Sequence, residues 1–96
     1  MSELDKLEEW LKAHGIRYER TDSKESDYID RHQIIVYEGS ERVWDVICQK
    51  YSYGYERGLL EAMGNIVKDR EDDVEGYLTA AEIIGRMWRK KLEAVL

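Results

Sequence analysis

Along this chain the spacing of apolar residues changes several times, and each change marks the edge of a predicted element. Leu4, Leu7 and Leu11 make one stripe over residues 3–14, with Ser2 placed to cap its start and Gly15 to stop its end, so a short amphipathic helix is expected there. Residues 16–20 alternate as a strand. Residues 21–30 are polar, strongly charged and without period, and read as a mobile loop. Residues 33–38 and 42–49 are rich in β-formers and flank Gly39-Ser40, a pairing that suits a tight hairpin.

With Glu38 opposite Glu41, Val36 faces Val43 and Ile35 faces Trp44. One face of that hairpin then carries Ile35, Tyr37, Trp44, Val46 and Cys48, and the other carries Ile34, Val36, Val43 and Ile47 with Asp45. Two apolar faces need cover on both sides, by helices or by a second copy, so a homodimer is expected. Leu59, Leu60, Met63, Ile66 and Val67 repeat at a helical period, as do Ala80, Ile83, Ile84, Met87, Trp88 and Val95. Thr79 and Glu82 have capping-box spacing at the head of the last helix, and Arg89, Lys90 and Lys91 suit the negative end of its dipole. Gly58, Gly64 and Gly85 each cost roughly 1 kcal/mol relative to alanine inside a helix, so close approach of the helices to each other or to the sheet is expected to offset them, with a helix end the equal alternative for Gly64. The predicted fold is α+β: a small three-stranded antiparallel sheet packed with three helices, in the order α-β-β-β-α-α, as a single domain over residues 1–96.

Composition narrows the function. The chain has 96 residues, 43% of them hydrophobic and 38% charged, with net charge −6. No third of it is net basic, which disfavours direct binding to DNA or RNA, where affinity rests on neutralising phosphates. Cys48 is the single cysteine, and no apolar run reaches signal-peptide or membrane length, so a cytoplasmic protein with no membrane contact is expected. Proline and phenylalanine are absent. Tyrosine and tryptophan must therefore supply the aromatic packing, and Trp10, Trp44 and Trp88 are expected in the core.

The most distinctive stretch is Tyr51-Ser52-Tyr53-Gly54-Tyr55-Glu56-Arg57-Gly58, which holds three of the seven tyrosines at the exit of a strand. Alternating aromatic and small residues there can wall a recess for a ring or a partner's side chain, since tyrosine has an apolar face and a polar tip. Tyr51, Tyr53, Tyr55 and Arg57 are the candidate binding residues, with Tyr53 the ring expected to stand in solvent. A helix beginning near Ser52 or Tyr55 would add free amides for an anion, although Glu56 opposes that use. The alternative is that these tyrosines only pack and hydrogen-bond a turn. His32 and Cys48 lie at the open end of the hairpin, on opposite faces in the register above, and do not make a nucleophile and base. Asp69-Arg70-Glu71-Asp72-Asp73 with Glu75 is acidic but lacks the alternating ligands and central glycine of a calcium loop, and reads as a solvated link. No catalytic residue, metal site or cofactor is predicted, and the chain is not expected to be an enzyme.

His32-Gln33-Ile34-Ile35-Val36-Tyr37, Val43-Trp44-Asp45-Val46-Ile47-Cys48, Ser52-Tyr53-Gly54-Tyr55-Glu56 with Gly58-Leu59-Leu60-Glu61, and Gly76-Tyr77-Leu78-Thr79-Ala80 together resemble a family of small uncharacterised proteins of phages and prophages of Gram-positive bacteria. The resemblance covers a little over half the chain and implies a setting rather than site residues: a phage accessory protein acting on host defence or host metabolism. The expected partner is a host protein, held through the tyrosine loop and neighbouring acidic surface. A small nucleotide-like ligand, bound or sequestered in the same recess, is the alternative.

Overall fold

Helix α1 (Glu3–Ala13) forms where the leucine stripe places it. Ser2 and Asp5 close a reciprocal capping box at 3.0 Å each way, and Gly15 at φ 63° turns the chain out. The computed structural model describes residues 1–26, 29–67 and 74–95, the side chains of 91–95 excepted. Five strands follow α1: β1 (Tyr18–Ser26), β2 (Ile29–Glu38), β3 (Glu41–Gln49), β4 (Leu60–Gly64) and β5 (Val74–Leu78). All neighbours are antiparallel, in the order β1-β2-β3-β4-β5. Helix α2 (Ala80–Val95) closes the chain, headed by the Thr79–Glu82 capping box that its sequence encodes.

The three-stranded sheet with three helices is thereby corrected to a five-stranded meander with two helices, in the order α-β-β-β-β-β-α. Three departures account for the change. The polar stretch after residue 20 is not a loop but the continuation of β1 and the start of β2, paired backbone to backbone from Arg20↔Ile34 to Ser26↔Ile29; an edge strand with solvent on much of its surface carries no apolar period to detect. The expected helix over 59–67 is β4 and a turn. Leu60 and Ala62 are both fully buried while Met63 is exposed, which is the alternation of a strand. Glycines at φ 68° and 98°, Gly58 and Gly64, bound that run. Finally, Gly76-Tyr77-Leu78 belongs to β5 and pairs with β4. The acidic stretch 69–73 lies outside the described residues.

The hairpin register also shifts. A bulge sets Val36 opposite Trp44 and Tyr37 opposite Arg42, so Val43 is the extra residue and every pair beyond it moves by one. The consequence is large, because a one-residue slip exchanges the faces of a strand. Ile34, Val36, Trp44 and Val46 come to one face with Leu60 and Ala62, under Leu4, Leu7 and Leu11 of α1 and Ile83 of α2. The other face is mixed: Ile35 and Ile47 alternate with Gln33 and Asp45. Asp45 is buried there, its carboxylate accepting from Gln33 at 3.0 Å and pairing with Arg42 at 3.1 Å. Trp44 lies in the core as expected, and Trp10 is half-buried, but Trp88 is 45% exposed, in edge contact with Trp10 at 6.1 Å. Among the described residues, no helix is long and apolar enough to cross a membrane.

Candidate binding site

After β3 the chain reverses at Tyr51, which takes φ 73°, and Ser52 ties the corner: its hydroxyl donates to the Gln49 carbonyl at 2.7 Å and accepts from the Gln49 N–H at 3.0 Å. Gly54 at φ 97° and Gly58 at φ 68° bracket a single 3-10 turn, Tyr55–Arg57. The expected helix start is therefore one short turn with no side-chain cap, and it offers no row of free amides to an anion.

This segment lies across β5. The Tyr53 N–H donates to Glu61 of β4 at 2.6 Å, and the Tyr53 carbonyl accepts from the Tyr77 N–H at 3.3 Å. Gly76 lies directly beneath Tyr53, where a side chain would collide with the tyrosine Cβ. Tyr77, at φ 58°, carries its ring to the same surface, 6.5 Å from that of Tyr53. Among the described residues, Tyr51 and Tyr77 are the non-glycine residues with positive φ.

Tyr51, Tyr53 and Tyr77 are 84%, 62% and 57% exposed. With Lys50, Tyr55, Arg57 and their neighbours they wall a recess of about 400 Å³. All four candidate residues line the recess, and Tyr51, Tyr53 and Arg57 are exposed there. Tyr55 is different. It is half-buried, and its hydroxyl donates to Asp30 at 2.5 Å, so it anchors the turn rather than presenting itself. Lys50 lies over its ring at 5.8 Å. Tyr77 was not singled out by sequence reasoning; the glycine before it, which makes room for Tyr53, is the signal that points there.

Beside the recess a chain of charges runs through the sheet. His32 has Nδ1 at 2.6 Å from Asp22 and Nε2 at 2.8 Å from Asp30, and Arg20 donates to Asp22, Asp5 and Glu8. Two carboxylates on two ring nitrogens require the imidazolium, so the His32 pKa rises, chiefly through Asp22 and further through Asp30, against the cost of burial. Asp30 is held below the ordinary carboxyl value, first by the Tyr55 hydroxyl and then by His32.

The bulge also corrects the placement of Cys48. It lies directly opposite His32, on the same face rather than the opposite one. The pair is still not a nucleophile and base, since both imidazole nitrogens are engaged by carboxylates, and burial followed by the Asp30 charge pushes the thiol pKa up. Among the described residues no group of three or more His, Cys, Asp or Glu side chains is set to hold a metal, and Glu75 is committed to Arg86 at 2.6 and 2.8 Å. Comparison of the chain with family models, curated proteins and solved structures gives no match.

Proposed function

We propose that this chain is an accessory binding protein that holds a partner protein through Tyr51, Tyr53 and Tyr77, with Arg57 at the rim of the recess. One observation carries the reading: three large rings stand in solvent on a backbone held left-handed at Tyr51 and Tyr77. Such conformations cost about 1 to 3 kcal/mol each and cluster where a surface has work beyond folding. Burial of the rings within this chain does not offset that cost. Tyrosine and arginine are also the residue types that concentrate binding energy at interfaces. In the setting that the phage resemblance implies, the partner is a host protein, the compartment is the host cytoplasm, and interference with host defence is the use.

The test pairs binding with stability. Tyr53→Ala and Arg57→Ala are expected to weaken a partner captured by the unaltered chain by roughly 1 to 3 kcal/mol, with little change in melting temperature because both side chains are exposed. Capture from host lysate with quantitative mass spectrometry, run side by side on the three proteins, measures it. Variants that melt early but capture the same partner when folded would overturn the reading.

A second reading is favoured by the recess itself, whose volume falls in the range of small-molecule sites and whose lining includes Lys50 and Arg57. It assigns a nucleotide-like ligand, bound or sequestered. A large, saturable rise in melting temperature with a nucleotide would select it over the first.

A further inference from the structure

We propose that His32 is a protonation-controlled latch on the tyrosine recess, acting through Asp30 and Tyr55. The inference rests on reading the recess as a binding site, but its test needs no partner. Geometry carries it. Tyr55 is the half-buried anchor of the turn that presents Tyr53, and its hydroxyl is held by one oxygen of Asp30 while His32 holds the other. The carboxylate is thus fixed between an imidazolium and a phenol, and the turn is fixed by the carboxylate.

The two carboxylates that His32 bridges are not equivalent. Asp22, from β1, keeps the Arg20 guanidinium at 3.0 Å whatever the state of the imidazole. Asp30, on the strand of His32 itself, has His32 as its paired cation; among the described residues, other positive charges near it are Lys24, which acts on it through space, and Lys50 over the Tyr55 ring. Cys48 faces His32 from β3 as a neutral thiol, and Asp5 and Glu8 of α1 reach the chain through Arg20. Loss of the proton leaves a neutral ring with one N–H for two carboxylates. A lone pair then faces an anion, and the loss falls on Asp30, which among the described residues pairs with no arginine. Asp30 swings toward solvent, the Tyr55 hydroxyl loses the Asp30 oxygen to which it donates, and the turn from Gly54 to Gly58 loosens.

The bonds Arg57 N–H to Gly54, at 3.0 Å, and Gly58 N–H to Tyr55, at 2.9 Å, report the state of the turn. Amide exchange on the full ¹⁵N-labelled chain, with the His32 ring followed by NMR across its titration, measures both together. Protection of the Arg57 and Gly58 amides is expected to fall roughly five- to tenfold as His32 deprotonates, about what losing one ordinary hydrogen bond gives, with the midpoint of the His32 titration. Tyr55→Phe, which removes only the hydroxyl, is expected to give the loosened turn at every pH while His32 still titrates above its ordinary value. His32→Gln is expected to fix the loosened state without a midpoint; should it not fold, Tyr55→Phe decides alone. Flat protection across the His32 titration, or a pH step that survives in Tyr55→Phe, overturns the proposal.

Discussion

A hydrogen at the α-carbon of Gly76 is what lets Tyr53 lie on β5, and the same residue type at Gly85 has no such neighbour: a Cβ there meets nothing within 4 Å among the described residues. The expectation that close helix approach offsets Gly85 is therefore not met. The two glycines predict opposite outcomes. Gly76→Ala should destabilise by roughly 1 to 3 kcal/mol through overpacking and shift the Tyr53 and Tyr77 rings, whereas Gly85→Ala, inside α2, should stabilise by roughly 0.5 to 1 kcal/mol. Chemical denaturation of both variants checks the signs. The charged residues around His32 add a pH dependence whose two sides can be worked out. Asp22 and Asp30 have lowered pKa values in the folded chain, so their contribution is present above their ordinary value of 3.8 and is lost as the pH falls through the folded values. Asp5, held at about 2 mainly by Arg20, behaves the same way. His32 has a raised pKa, so its contribution is complete below 6.5 and is lost as the pH rises through the folded value. Melting temperature should therefore peak between these limits, and His32→Gln should flatten the alkaline side and also weaken the acid side, because His32 is the first cause of the lowered Asp22 value and a further cause for Asp30; the part from Asp5 remains.

Among the elements, the two helices were legible and much of the sheet was not, for physical reasons that differ strand by strand. Both helices carry a 3.6-residue apolar period and a local capping box, signals contained within four consecutive residues. β1 beyond Arg20 is held by pairing with β2 and by ion pairs such as Arg20–Asp22, neither of which leaves a mark on hydrophobic spacing. β4 is five residues long, too short for alternation to outweigh a coincidental helical spacing that continues into the following turn. The bulge at Val36/Tyr37 has no glycine or other local signature, yet it decides which face of the sheet each residue of β3 from Trp44 onward shares with β2, and brings Cys48 opposite His32. The exposed tyrosines were legible as a cluster; Tyr77 was not, because its contribution depends on β5 being a strand. One junction is beyond any local reading: Glu3, in the first turn of α1, accepts from the Ala80 N–H at 2.9 Å and so caps α2 from across the molecule. Its carboxyl pKa is lowered by Lys6 first and by this amide second. Glu3→Ala should cost about 0.5 to 2 kcal/mol, the range for loss of a helix cap, and Glu3→Gln, which keeps an acceptor oxygen, should cost less; thermal or urea unfolding distinguishes them.

For the whole molecule, the register shift changes the ground on which a homodimer was expected. The hairpin does not have two equally apolar faces: Val36, Trp44 and Val46 are gathered under the helices, and the opposite face interleaves Ile35, Ile47 and Met63 with Gln33, Asp45 and Glu61. Asp45 is already satisfied there by Gln33 and Arg42, so a second copy would not strand its charge. Five strands spaced about 4.8 Å apart span only about 20 Å, and the tyrosine segment already covers the β5 side of this face through Gly76. What remains for a partner is the mixed surface of β1 to β4, in which Ile35, Ile47 and Met63 are interrupted by polar side chains. A dimer through this face is accordingly proposed to be weak and dependent on concentration, with the two copies sharing a net charge of −6 each. Light scattering should give 11.4 kDa in dilute solution, rising toward twice that mass as the sample is concentrated. Raising the salt should favour association by screening the like charges. Ile47→Lys, at a half-buried position in the middle of the open face, should hold the chain monomeric at all concentrations without moving its melting temperature by much. A mass that stays at the monomer value in the unaltered chain, even in concentrated high-salt samples, would remove the dimer and leave the tyrosine recess as the one contact surface proposed for this protein.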